Sequence, residues 1–89
     1  PRFVHFSTQQ GLSSNQAVCL TTDALDRIYV GTGRGINRLD RDGANIKIFT
    51  QADGLPGNVI NLCGGDPSGA LWFVTRNTVV RLVPESDRA

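Results

Sequence analysis

The sequence predicts an all-β chain built from two copies of one four-stranded antiparallel unit. Three observations carry that reading. The chain superimposes on itself after a shift of 43 residues without a gap, its apolar residues fall in short runs bounded by Gly, Asp, Asn and Pro, and no window of helical length keeps a 3.6-residue period. The shift places Phe6 on Phe49, Gly11-Leu12 on Gly54-Leu55, Asn15 on Asn58, Asp23 on Asp66, Thr32 on Thr75 and Arg38-Leu39 on Arg81-Leu82. It also aligns Ile28-Tyr29 with the similar Leu71-Trp72.

Taken in order, the apolar runs predict strands over residues 3–6, 17–22, 27–31, 36–39, 46–50, 59–63, 71–75 and 79–83. A period of 40 to 45 residues with four antiparallel strands is the size of one β-propeller blade; helical and leucine-rich repeats need helices or other periods. In a blade the first strand lines the central channel and the fourth forms the rim. The small, apolar "QAVCLTT" and "VINLCGG" suit the inner position. "IYV" and "LWFV" suit second strands whose rings pack between neighbouring blades, and "IKIF", interrupted by Lys47, suits a half-exposed outer strand.

The phase of the repeat sets the expected boundaries. Residues 1–6 read as an outer strand completing a neighbouring blade, 7–50 as the first blade, 51–84 as a second blade lacking its own outer strand, and 85–89 as a polar tail. Stacked repeats generally need at least three units. The chain is therefore expected to belong to a longer propeller of six to eight blades or to assemble head to tail, with three copies making six blades or four making eight. Beginning at Pro1 rather than Met, it reads as an excerpt or a processed piece, and localisation is not legible from a leader.

Composition narrows the function classes. Hydrophobic residues make up 39% and charged residues 19%, the balance of a globular domain. Nine Lys and Arg are scattered among eight acids without a basic run, which argues against nucleic acid as a partner. No apolar run reaches the roughly 20 residues of a membrane helix. Cys19 and Cys63 are far apart and set among apolar residues, so they are expected as buried free thiols.

The segment "RIYVGTGRGINRLD" opens like a phosphate-cradling loop, but a dinucleotide fingerprint needs a helix after its glycines, and residues 36–39 continue as strand. The equivalent "VTRNTVVRL" makes the same connection without glycine, so Gly31, Gly33 and Gly35 are read as serving a hairpin. "DRDGAN" starts like a calcium loop yet lacks the distal Glu, and Asp42-Gly43 is a hairpin turn signal. His5 has no partner that sequence can place beside it. No catalytic residue, metal or cofactor is expected.

"FSTQQGLSSNQAVCLTTD" and "FTQADGLPGNVINLCGGDPSGALWFVT" resemble two-component regulator propeller repeats: an aromatic rim strand, Gly-Leu, Asn, a strand ending in Asp, then Leu-Trp. The likeness covers nearly the whole chain, from Phe3 to Pro84. It departs at Asp26, where the family favours Gly and Gly69 keeps it, and at Val74, Arg76 and Thr78, which replace the glycines of "GTGRG". The resemblance implies a non-enzymatic sensory module in a periplasmic or extracellular setting, often tuned to glycans.

Two sets of residues follow. Connections between strands four and one and between two and three emerge at the same end of a propeller, which puts Ser13, Ser14, Gln16, Arg34, Arg76 and Asn77 on one face as candidate saccharide ligands. Asn15 and Asn58 lie there too, as loop braces. Asp23 and Asp66 are expected to bond backbone amides at the end of the inner strands, and Tyr29 and Trp72 to be core rings. A module that only scaffolds assembly is the competing reading.

Overall fold

The computed structural model describes residues 2–40 and 45–84. Strands β1 (Ala17–Thr22), β2 (Ile28–Thr32), β3 (Gly35–Leu39) and β4 (Ile46–Phe49) form one antiparallel sheet in sequential order. Strands β5 (Ile60–Gly65), β6 (Leu71–Thr75) and β7 (Val79–Leu82) form a second. Two single-turn 3-10 segments, Thr8–Gln10 and Gln51–Asp53, precede the first strand of each sheet. The chain is thus all-β, with sheets of four and three strands. The Asp42-Gly43 turn and the tail lie outside the described residues.

Each sheet is a meander because each strand is short and joined to the next by a tight turn. The repeat reaches into irregular detail: β1 and β2 slip register between Ala17 and Cys19, and β5 and β6 slip between Ile60 and Leu62, one repeat later. These bulges twist the first strands and turn their following side chains to the other face.

The sheets meet mainly along β1 and β5, with β2 also reaching β5. Tyr29 and Ile36 of the first sheet pack there against Ile60, Leu71 and Phe73 of the second, and Phe49 and Leu55 close the edge. Tyr29 and Phe73 stack tilted, 6.4 Å between ring centroids. A second cluster of Leu12, Val30 and Leu39, with Ile28 and Ile46, lies on the far face of the first sheet. Leu12 there repeats the placing of Leu55, so the loop before each first strand covers the same face of its own sheet.

Two expectations rest on a neighbouring unit. Residues 3–6, expected to complete a neighbouring blade, are not in a strand here. The first sheet already has β4 at its outer edge, so its own N-terminal segment finds no free ladder there. Trp72 is 39% exposed, whereas Tyr29, one repeat earlier, is 1% exposed. Tyr29 is covered by the second sheet, and nothing described covers the equivalent face of that sheet.

The structure corrects the expectation of free thiols: the cysteines are joined as a disulfide with their Cα atoms 5.6 Å apart. Side chains on a strand alternate faces, and stacked copies touch through opposite faces, so a cross-sheet pair must join positions one residue out of phase in the repeat. Cys19 and Cys63 are 44 residues apart, one more than the period, and meet that condition. Gly31 lies beneath them: a Cβ there would stand 2.5 Å from Cys19 Sγ and 2.6 Å from Ile60 Cγ2.

Closing a 44-residue loop makes the disulfide worth about 4 kcal/mol in the chain-entropy account. Urea unfolding with and without reductant should show a loss of that order, matched by Cys19→Ser. Gly31→Ala should cost about 1–3 kcal/mol through overpacking. A reduced protein as stable as the oxidised one would contradict the cross-link.

Candidate functional site

The end of the sheets where β1 begins and β2 turns into β3 is built by polar side chains that brace loops. Ser7 caps the first 3-10 turn: its Oγ accepts from the Gln9 amide at 3.2 Å, while Gln10 Oε1 accepts from the Ser7 amide at 2.9 Å. This reciprocal capping box recurs at Thr50, whose Oγ1 accepts from the Ala52 amide at 3.3 Å while Asp53 Oδ2 accepts from the Thr50 amide at 2.9 Å. Each turn ends on a left-handed glycine, Gly11 at φ 112° and Gly54 at φ 108°. Asn15 Oδ1 accepts from the Thr8 amide at 2.8 Å and Asn58 Oδ1 from the Gln51 amide at 2.7 Å, so both asparagines fasten the loop to its own turn.

Beneath the first loop lies a small buried network. Asn37, fully buried, accepts at Oδ1 from the Ser13 amide at 2.8 Å and donates from Nδ2 to Ser13 Oγ at 2.8 Å. Thr32 Oγ1 lies 3.1 Å from Ser13 Oγ and accepts from the Arg34 amide at 2.9 Å. Ser13 is therefore spent on holding the loop to the sheet. The Gly35 amide donates to the Asn58 carbonyl at 2.6 Å, tying the β2–β3 turn to the approach loop of β5 in the second sheet.

A cleft of about 400 Å³ opens here between the β1 approach loop and the β2–β3 turn, lined by Thr8, Ser13, Ser14, Asn15, Gln16, Gly33 and Arg34. Ser14 Oγ accepts from the Gln16 amide at 3.1 Å and keeps its proton to donate. Gln16 and Arg34 are exposed, and among the described residues neither side chain is engaged in a hydrogen bond or ion pair. Four of the six candidate ligands thus come together, three of them with groups to offer. Arg76 and Asn77 are exposed on the matching β6–β7 turn but do not line the cleft, and Asn77 Oδ1 accepts from Thr78 Oγ1 at 3.2 Å.

The opposite end of the sheets holds the perturbed titratable groups. Asp23 ends β1 and accepts from the Leu25 amide at 2.8 Å, the Arg27 amide at 3.1 Å, Arg27 Nε at 2.7 Å and the Tyr29 hydroxyl at 2.9 Å. Desolvation pushes its carboxyl up, but these hydrogen bonds outweigh that and hold it below the usual carboxylate range. Desolvation and the Asp23 bond push the Tyr29 hydroxyl up to about 12. Asp66 repeats the arrangement in the second sheet, accepting from Ser68 Oγ at 2.5 Å and from Trp72 Nε1 at 2.7 Å, which bring its carboxyl down to about 2. A ring donor six residues after the Asp is the common device, met by a phenol in one copy and an indole in the other. Arg27, buried with Asp23, is a partner that the sequence reading missed. Its signal was the i, i+4 spacing across the β1–β2 turn. A second cleft of about 280 Å³ at this end is lined by residues of both turns, but Asp23 within it is fully engaged.

No protein-family model matches the chain, and no curated protein matches it either.

The Asp23–Arg27–Tyr29 cluster should limit stability at both pH extremes. Asp23 and Asp66 have lowered folded pKa values, so their contribution is complete above the unfolded value of about 3.9 and is lost as pH falls through the folded ones. Tyr29 is raised, so its contribution is complete below about 10 and is lost as pH climbs towards 12. Tyr29→Phe should remove the alkaline loss and, at neutral pH, cost about 1–3 kcal/mol by leaving the buried carboxylate one donor short. Urea titrations across pH read both effects.

Proposed function

We propose that this chain is a non-enzymatic ligand-binding segment of a β-propeller, taking a saccharide or similarly hydroxylated molecule, neutral or mildly anionic, at the cleft beside Arg34. The observation that carries this reading is the convergence of Ser14, Gln16 and Arg34, with donors to spare, on a cleft whose walls are braced by Ser13, Asn15 and Asn37. A preformed site with few polar groups at fixed positions loses little entropy on binding.

Binding is favoured over catalysis because, among the described residues, the groups with clearly shifted pKa values sit at the other end of the sheets and are held there by structural hydrogen bonds. A periplasmic or extracellular setting, which the family resemblance implies, is supported by the Cys19–Cys63 disulfide, since such bonds persist in oxidising compartments. The meander topology and the stacking along β1 and β5 support the propeller reading. The competing reading, an assembly module, draws on the exposed apolar face of the second sheet, which includes Leu62 and Val79.

Calorimetric titration with neutral and uronate-containing oligosaccharides tests the cleft. Uronates should bind more tightly than neutral sugars. Arg34→Ala should weaken them about tenfold, near 1.4 kcal/mol, and Arg76→Ala should leave them unchanged. Failure of every sugar to bind, or equal losses from both variants, would sink the assignment.

A further inference from the structure

We infer that Gly33 is the specificity-determining residue of the cleft: its missing side chain leaves the room in which the rings of a small uronate lie along the β2–β3 turn while the carboxylate pairs with Arg34. This role rests on the saccharide reading of the same cleft.

The segment from Gly31 to Gly35 holds three glycines, and the fold accounts for two of them. A Cβ at Gly31 would stand 2.5 Å from Cys19 Sγ, so packing under the disulfide excludes a side chain there. Gly35 is left-handed at φ 112°, and a Cβ on it would run into the Phe49 carbonyl oxygen. Both are structural. Gly33 meets neither condition: its φ lies outside the left-handed region, it is exposed, and an added Cβ would find no heavy atom within 4 Å. Glycine loses more conformational freedom on folding than any other residue, so Gly33 lowers stability with no contact or conformation to offset it. It is also the one glycine in the lining of the cleft.

The second copy supplies an internal control. Thr32 Oγ1 donates to the Gly35 carbonyl at 3.1 Å, and Thr75 Oγ1 donates to the Thr78 carbonyl at 3.1 Å, so the two turns are closed by the same bond. The strands beside them keep the same register, with Gly31 opposite Ile36 and Val74 opposite Val79. The shift of 43 residues sets Arg76 on Gly33, and the turn carries that arginine with its bond and register intact. Turn closure therefore does not ask for glycine at this place. What changes along with it is the set of binding groups: Ser14, Gln16 and Arg34 are answered by Gly57, Val59 and Asn77, while the brace Asn15 is answered by Asn58. The framework repeats; the cleft does not.

Room and charge act on one ligand. The cleft measures about 400 Å³, towards the lower end of the roughly 300–1,000 Å³ of small-molecule sites, which suits a mono- or disaccharide better than a long chain. Arg34 is the only charged residue of its lining among the described residues, so nothing there repels a carboxylate, and a guanidinium offers it paired donors. Ser14 and Gln16 stand on the other wall, within the approach loop of β1, for ring hydroxyls. An arginine at residue 33 would add a second cation and at the same time take up space between the walls. For an anionic sugar those two effects have opposite signs, and the sign observed tells which of them governs.

The test titrates galacturonate and digalacturonate calorimetrically into the full chain and into its Gly33→Ala and Gly33→Arg variants. Gly33→Ala should weaken digalacturonate about threefold and Gly33→Arg about tenfold or more, despite the added charge. Galacturonate, short enough to sit at Arg34 clear of residue 33, should lose less. Gly33→Ala should leave the thermal midpoint unchanged or raised, because alanine restricts the unfolded chain. A Gly33→Arg chain that binds digalacturonate as tightly as the unmodified chain, or more tightly, would overturn the role of Gly33 while leaving a cleft read by charge. A fall in midpoint on Gly33→Ala would overturn it too, by making the glycine structural. If the unmodified chain binds neither sugar, the saccharide reading and this role fall together.

Discussion

Both faces of the first sheet are apolar, and that constraint governs the rest of the molecule. A two-faced sheet of short strands cannot hide both sides by itself, so it must be stacked. Here one face is taken by the second sheet, through Tyr29, Ile36 and Phe73, and the other is partly covered by Leu12 from the approach loop. Because the copies stack in one direction, each must carry two different faces, one of Tyr29 type and one of Phe73 type. The repeat holds that distinction by parity along the strands. The bulges at the start of β1 and β5 fall at equivalent places, and so keep the parity of the two copies in step.

Most strands were legible because their apolar runs are short, their breakers are strong and the second copy repeats the first. β1 and β6 have the expected bounds, and the others differ only at their ends. What the sequence concealed was context. Residues 3–6 have strand composition, yet a strand exists only where a ladder accepts it. Trp72 has a core residue's character, but its burial depends on the sheet that follows. The capped turns were readable as Ser7 with Gln10 and Thr50 with Asp53, a Ser or Thr followed three residues later by an acceptor, but one turn is too short to register as helical period.

The candidate site divides in the same way. That the loops before β1 and between β2 and β3 share one end followed from topology, and the cleft between them is lined by Ser13, Ser14, Gln16 and Arg34. Which of these are committed could not be read, because that depends on Asn37, 24 residues from Ser13 in sequence and directly beneath it in the fold. Asp26 shows a departure from the repeat pattern that is accommodated: it adopts φ 61° where Gly69 adopts 92°, and Asp is among the few residues that tolerate that conformation.

The disulfide fixes the contact between the two sheets and departs from the repeat: one repeat away, Cys19 and Cys63 are answered by Leu62 and Leu20. The lock sits beside Gly31, where the first strands converge and where a side chain would hold the sheets apart. A pair of sheets fixed there moves as one body. The loops of the two sheets, joined through the Gly35 amide and the Asn58 carbonyl, keep their spacing. The cleft edged by Arg34 is then carried on a unit whose inner seam is covalent.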